Sequence, residues 1–181
     1  MNRKKSIFEY SRTCEEDEDE ENKKDGPDPL IAKMLKTRTI LLSGQINKDL
    51  AEKTVRQLIL LEEMGDDPIR IFIDSPGGEV DAGYAIFDMI RFVKPKVWTI
   101  GMGLVASAAA LIQLASPREQ RLGLPNSHYL IHQPLSGIRG VATDIEIHAR
   151  ELEKLRSKIN RLISEETGVP PDQVEKDTDR D

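Results

Sequence analysis

Short β-rich apolar runs alternate with helical apolar runs along most of this 181-residue chain. The clearest example is a strand at residues 69–74, a proline-glycine turn at 75–78 and a helix at 79–93 that stops before a proline. Because such alternation builds a sheet covered by helices, the chain is predicted to be an α/β protein.

The same criteria predict the other elements. N-terminal to residue 69, these criteria predict a helix that follows the Asp28-Pro29 cap, a strand at 39–44, and a helix capped by Asn47 that runs to Gly65. After it they give a strand at 96–100, a buried small-residue helix at 106–115, short strands near 120–122 and 128–132, and a long helix at 143–166.

The long helix carries one sustained apolar stripe, formed by Ile145, Ala149, Leu152, Leu155, Ile159 and Leu162. Its length and single stripe fit packing against another subunit as well as packing against its own domain. The sequence leaves both arrangements open.

Residues 1–28 differ in composition from the rest of the chain. They are polar and contain seven consecutive acidic residues at 15–21, so they bury too little apolar surface to offset the entropy of ordering. We expect a disordered acidic arm at 1–28 and one folded domain at 29–181. The arm is either a solvated linker or a functional acidic patch.

The charge and apolar content exclude several classes of function. Removal of the acidic segment at 15–29 leaves a body of about +1 net charge without a basic cluster, so nucleic-acid binding has little electrostatic support. No apolar run is long enough to span a membrane, and no signal-type segment follows Met1. With Cys14 as its single cysteine, the chain is expected to be cytoplasmic.

A glycine pair and a serine follow two of the predicted strands. Gly77 and Gly78 could adopt positive φ and expose amides that receive an oxyanion. Ser107 lies at the start of the small-residue helix, where helix-end amides favour negative charge near its hydroxyl. Taken alone, these residues fit an ordinary turn after Pro76 and a helix N-cap better than a catalytic site. The motifs GxGxxG and GxxxxGK(S/T), and the hydrolase elbow GxSxG at the serine, are absent.

A nucleophilic serine requires a base, and the chain has three histidines. His148 lies within the long helix, where packing explains it. His128 and His132 share a face of one predicted strand, and His132 lies at the strand end beside Gln133-Pro134, which favours it. Among 32 acidic residues, periodicity selects no third member for a triad.

Taken together, these segments closely resemble the ClpP family, the proteolytic subunits of caseinolytic Clp proteases. The resemblance covers residues 29–181 without gaps between motifs. The matching motifs are SPGG at 75–78, GLVAS at 103–107, LPNS at 124–127, IHQP at 131–134, ATDIEIHAR at 142–150 and EKDTDRD at 175–181.

The resemblance implies a serine endopeptidase with Ser107 as nucleophile, His132 as general base and Asp181 as the carboxylate that orients it. It implies that the Gly78 and Ala108 amides form the oxyanion hole. This site needs neither a metal nor an organic cofactor.

The resemblance also implies an architecture and partners. The fold would be a crotonase-like spiral of ββα units with a long interface helix that meshes two stacked rings of seven subunits. A ring-shaped AAA+ unfoldase would use ATP, which this chain does not bind, to deliver unfolded polypeptides. The sequence leaves open whether a paralogue shares the particle.

The chain departs from the family pattern in three places. Ala109 replaces a glycine that usually follows the nucleophile by two residues, which predicts a methyl group crowding the helix start. The acidic arm interrupts the N-terminal region, and the sequence stops at Asp181, so a truncated C-terminal end is expected.

Two other functions are compatible with parts of the sequence. One is a non-catalytic ring subunit with an assembly or docking role, although all three triad residues are present. The other is an acyl-CoA hydratase or isomerase of the crotonase type, which would normally use carboxylates in place of Ser107 and His132.

Overall fold

The computed structural model describes residues 29–134 and 137–179. The chain divides into two units, one that ends at Lys33 and one that begins at Met34. The helices are α1 (Pro29–Lys36), α2 (Lys48–Glu63), α3 (Val80–Phe92), α4 (Ala108–Gln113), α5 (Ala142–Thr167) and α6 (Pro171–Thr178). The strands are β1 (Thr39–Ser43), β2 (Ile69–Ser75), β3 (Val97–Ala106), β4 (Arg121–Gly123) and β5 (His128–Leu130).

The five strands form one parallel sheet. β1, β2, β3 and β4 are neighbours in that order, and β5 pairs with the second half of β3. Val105 on β3 lies opposite both Ser75 on β2 and Tyr129 on β5, so β5 lies on the side of β3 away from β2. The parallel sheet with helical connections confirms the predicted α/β class.

The main core lies between the sheet and helices α2, α3 and α4. Its largest members are fully buried aliphatic side chains from these elements and from the segment between β1 and α2: Leu42, Ile46, Leu58, Leu61, Ile71, Ile73, Ile86 and Ile112. The expected cap of α2 is present, because the Asn47 side chain accepts a hydrogen bond from the Leu50 amide at 2.9 Å. Ala109 is also completely buried in this core, so its methyl group contributes to the packing of α4.

The third strand is longer than predicted and the helix after it is shorter. β3 continues to Ala106 because a bulge between Gly101 and Val105 absorbs two extra residues. Gly103 lies in this bulge with φ of 56°, and the Asp74 carboxylate accepts the Leu104 amide at 3.0 Å. A local pattern could not show this extension, because it depends on a side chain 30 residues away.

A second, smaller core joins the end of α5 to α6, which the sequence pattern did not predict. Ile159 and Ile163 of α5 pack there with Val174 of α6 and with Tyr84 and Leu111. The helix α5 ends as expected at Gly168, which has φ of 75°.

The first half of α5 is exposed, unlike its second half. Ile145 and Ile147 are 44% and 55% exposed, and Ala149 is exposed as well. The predicted stripe is therefore covered only in the second half of the helix. Among the described residues, no helix is both long and apolar enough to cross a membrane. The predicted acidic arm at 1–28 lies outside the described residues.

Candidate active site

The turn between β2 and α3 presents one backbone amide in a fixed direction. Gly77 and Gly78 have φ of 91° and 152°, which other residues rarely adopt. The Ile46 amide donates to the Gly77 carbonyl at 2.9 Å, and the Glu79 amide donates to the Ile46 carbonyl at 2.9 Å. The Ser75 hydroxyl accepts the Gly77 amide at 3.1 Å.

These contacts determine where the Gly78 amide points. In a trans peptide the C=O and the following N–H point in opposite directions. Because the Gly77 carbonyl faces Ile46, the Gly78 N–H faces away from Ile46. Among the described residues, no acceptor for this N–H is found, so it is available to an external oxyanion.

Ser107 lies at the junction of β3 and α4 in a strained conformation. Its φ of 53° and ψ of −123° are unusual for a residue with a side chain. The serine occupies the N-cap position of α4, but its side chain makes no capping hydrogen bond. The conformation therefore differs from the extended backbone of an ordinary N-cap serine.

The glycine turn and the serine junction lie in direct contact. A Cβ added at Gly77 would lie 2.6 Å from Ser107 Cβ and 3.1 Å from the Ala108 nitrogen. Glycine is therefore needed here for space as well as for its φ. The structure thus brings the glycine turn, which carries Gly78, against Ser107 and Ala108, the predicted nucleophile and the other predicted oxyanion-hole residue.

β5 brings His132 toward Ser107. Ala106 pairs with Leu130, and the Ser107 amide continues the ladder by donating to the Leu130 carbonyl at 2.9 Å. His132 follows Leu130 by two residues, so their Cα atoms are less than about 8 Å apart. His132 is half-buried and lies two residues beyond the end of β5, whereas the sequence pattern made it the last residue of the strand.

The end of α6 lies beside the residue that follows His132. The Gln133 amide donates to the Thr178 carbonyl at 2.7 Å, and the Gln133 side-chain amide donates to the Asp179 carbonyl. Asp181, the predicted orienting carboxylate, lies outside the described residues. The hydrogen bonds from Gln133 end at Asp179, two residues before Asp181 in the sequence.

The other two histidines lie elsewhere. His128 is exposed at the start of β5, and His148 is half-buried in the first half of α5. The sequence did not reveal Ile46 as the residue that orients the glycine turn. Ser75 could have been found, because a serine two residues before a turn glycine commonly accepts its amide.

A serine held at a strained strand–helix junction beside a free amide is typical of serine hydrolases, and the fold and the site together define this class. A sequence model of the family described as Clp protease matches residues 22–181. The chain belongs to the Clp protease family. This membership confirms the sequence resemblance and the prediction of a Clp-type serine peptidase subunit.

Individual relatives are similar over most of the chain. ATP-dependent Clp protease proteolytic subunit 2 of Treponema denticola is 64% identical over 168 residues, which cover 92% of this chain and 84% of the relative. ATP-dependent Clp protease proteolytic subunit 3 of Rhizobium meliloti is 53% identical over 168 residues, 92% of this chain and 86% of the relative.

A solved structure of a mutant ClpP1 from Listeria monocytogenes superposes with a TM-score of 0.78 at 50% identity. The match covers 83% of this chain and 84% of that one. Together with the parallel sheet, it confirms the predicted crotonase-like fold class of ClpP.

Proposed function

We propose that this chain cleaves peptide bonds of unfolded polypeptides with Ser107 as the nucleophile, His132 as the general base and Asp181 as the carboxylate that orients the imidazole. The observation that carries the proposal is the strained backbone of Ser107. Its amide donates a hydrogen bond to the Leu130 carbonyl, two residues before His132 in the chain. Strain of this kind is retained where function requires it.

In the proposed reaction, the Ser107 Oγ attacks the scissile carbonyl carbon while His132 takes the hydroxyl proton. The amides of Gly78 and Ala108 donate to the oxyanion that forms. When the tetrahedral intermediate collapses, the leaving amine takes the proton from His132 and an ester to Ser107 remains. Water, deprotonated by His132, then attacks the ester; as the acid is released, the Ser107 oxygen takes the proton back from His132. The proposed steps require no metal or organic cofactor.

We further propose that the subunit works in two stacked rings of seven, served by a ring-shaped AAA+ unfoldase. The names of the relatives, ATP-dependent proteolytic subunits, support an assembly and an ATP-using partner. The exposed apolar side chains of Val141, Ile145 and Ile147 at the start of α5 support burial of this segment by another subunit. Mixing with a paralogue and a cytoplasmic location stay predictions.

The decisive experiment combines turnover of a small fluorogenic peptide with labelling by a serine-reactive phosphonate. We expect Ser107→Ala to lose both turnover and label, with a rate below about one-hundredth of the wild-type rate, because the attacking atom is gone. Ser157→Ala, on the exposed side of α5, is the matched control and should keep both.

The mass of the intact particle should be the same for wild type and Ser107→Ala. A non-catalytic ring subunit would instead assemble without any turnover or label in the wild-type protein. Retention of the rate in Ser107→Ala would show that another residue attacks the substrate.

A further inference from the structure

Two glycines that face each other across β3 and β4 have backbone conformations that do not require glycine. Gly101 and Gly123 are paired in register, and neither has positive φ, so other residues could adopt their conformations. A Cβ added at Gly101 or Gly123 would lie 2.3 Å or 2.4 Å from the Tyr129 hydroxyl. The space that both glycines leave is thus occupied by the tip of one side chain.

Tyr129 is the middle residue of β5, a strand with little burial of its own. All three residues of β5 are exposed, and Tyr129 and Leu130 are 52% and 40% exposed. The tip of the phenol nevertheless lies against Gly101, which is buried. This side chain is therefore an anchor between an exposed strand and the interior.

Gly101 also fixes the turn that leads into β5. Its carbonyl accepts the Leu124 amide at 2.9 Å and the Ser127 hydroxyl at 2.8 Å. The turn before β5 and the middle of β5 are thus held at the same residue. A displacement of the phenol would loosen the strand beyond that turn.

We infer that Tyr129 is a positioning residue for catalysis: its phenol, seated between Gly101 and Gly123, holds β5 and thereby places His132. This inference depends on the proposed function, in which His132 is the base. The Leu130 carbonyl accepts the Ser107 amide, so movement of β5 changes the placement of His132 relative to the nucleophile. Misplacement of a catalytic group by about 1 Å can reduce the rate by up to about a hundredfold.

The geometry predicts a specific pattern of rescue. At Gly123, an added Cβ would clash with the Tyr129 hydroxyl, but the next ring atom is 3.4 Å away, an ordinary contact. At Gly101, the added Cβ would still lie 2.9 Å from the ring after removal of the hydroxyl, and 2.8 Å from the Gln113 side-chain oxygen. Tyr129→Phe should therefore relieve Gly123→Ala fully and Gly101→Ala only in part.

The test measures kcat per labelled site, KM and the pH profile of kcat on assembled wild-type and variant particles. We expect Gly123→Ala to lower kcat by about fivefold and Gly101→Ala by at least about tenfold. KM should stay within about twofold, because these variants displace the base and leave the substrate contacts in place. The ascending limb of the pH profile should change in both. Gly123→Ala combined with Tyr129→Phe should regain the kcat and profile of Tyr129→Phe alone.

Gly137→Ala is the matched control, because a Cβ there would have no neighbour within 4 Å in the part of the chain that the structure describes. The inference is wrong if Gly123→Ala keeps full kcat, or if adding Tyr129→Phe does not restore the kcat that Gly123→Ala loses. It is also wrong if Gly123→Ala reduces the assembled fraction while kcat per labelled site stays unchanged. His132→Ala distinguishes failure of the proposed function from failure of the role of Tyr129. If that variant remains active, the proposed function fails; if it is inactive while Gly123→Ala is normal, only the role of Tyr129 fails.

Discussion

The two halves of the candidate site differ in how deeply the subunit buries them. The nucleophile half is built on the main core, where Ser75 and Ala108 are each 1% exposed. The base half depends on β5, whose residues are all exposed, and on the hydrogen bonds of Gln133 to the end of α6. The conformation of Ser107 is therefore coupled to the folding of the whole domain, whereas the position of His132 depends on a few separate contacts. Substitutions in the first half should change stability and activity together, and those in the second half mainly activity.

The largest effect is expected from Gly78→Ala in the nucleophile half. The new Cβ would lie 2.0 Å from the Ile46 carbonyl oxygen at a φ of 152°. We expect kcat to fall by about a thousandfold, because the turn must move and its amide is lost to the oxyanion. Stability should fall by about 2 kcal/mol, measured by denaturant unfolding.

Gly65→Ala is the matched control for this prediction. Gly65 also has positive φ, 136°, but among residues 29–134 and 137–179 no atom would lie within 4 Å of a Cβ there. This variant should lose stability through backbone strain and keep its activity. Equal losses of activity in the two variants would show that the Gly78 amide has no special role.

Arg121→Met should separate stability from activity within the core. The Arg121 guanidinium pairs with the Glu166 carboxylate at 2.7 Å and donates to the carbonyls of Leu114, at 2.9 Å, and of Glu166, at 2.8 Å. The two side chains are 14% and 17% exposed, so loss of the arginine leaves a poorly solvated charge and unpaired carbonyls. We expect a loss of about 3 kcal/mol in the free energy of unfolding, with kcat of the folded protein within about twofold.

The comparison variant is Arg91→Met. Arg91 pairs with the same carboxylate, but its side chain is 45% exposed, so its removal should cost less than about 1 kcal/mol. A similar loss in both variants would argue against burial as the source of the Arg121 contribution.

In the base half, Gln133→Ala should reduce activity with little change in stability. The variant removes the side-chain donor to the Asp179 carbonyl and leaves the backbone bond to Thr178. We expect kcat to fall by about tenfold, or 1.4 kcal/mol of transition-state stabilisation, because the residue after His132 loses its side-chain hydrogen bond to the end of α6. The melting temperature should stay within about 2 °C.

Gln173→Ala, on α6, is the control, since the Gln173 side-chain amide donates to the Asp177 carboxylate of the same helix at 2.6 Å. It should leave kcat unchanged. A large drop in the melting temperature of Gln133→Ala would mean that the base half is as strongly coupled to the domain as the nucleophile half.

The same contrast explains which parts of the structure the sequence could predict. Periodicity was sufficient for β1, β2, α2 and α3, because each presents an apolar face to the main core, and for α5, whose second half presents one to the second core. It was insufficient for the second half of β3, which depends on the distant Asp74, and for α6, which is short and polar apart from Val174.

The site shows a similar division. Ser107 and Gly78 could be selected as candidates from their positions after strands, but an N-cap serine and a strained nucleophile have the same local sequence. The backbone angles distinguish them, and they arise from contacts with Gly77 and Leu130. The orienting acid could be named only from family resemblance, because many acidic residues fit the local pattern equally well.

The smallest effect is expected from Tyr84→Phe, in the second core that supports the base half. Tyr84 is 9% exposed, and its hydroxyl has no hydrogen-bond partner among the described residues. Lys158 lies over its ring at 4.0 Å, a contact that phenylalanine keeps. Removal of an unsatisfied buried hydroxyl should therefore leave stability unchanged or raise it by up to about 1 kcal/mol near neutral pH, with activity unchanged.

The pH dependence sharpens this prediction. Burial raises the pKa of Tyr84, with the charges of Asp81 and Asp88 acting in the same direction and Arg161 against them. The folded state thus keeps the proton at a pH where the unfolded tyrosine, with a pKa of about 10, has begun to lose it. The contribution of Tyr84 to the free energy of unfolding is the same at all pH values below about 10. It falls as the pH rises from there through the folded-state pKa. The stability advantage of Tyr84→Phe should therefore grow above about pH 10 in denaturant unfolding series. A constant difference between the two proteins across that range would show that the hydroxyl ionises as readily in the folded state as in the unfolded one, and that the second core is more open to water than the packing around Tyr84 indicates.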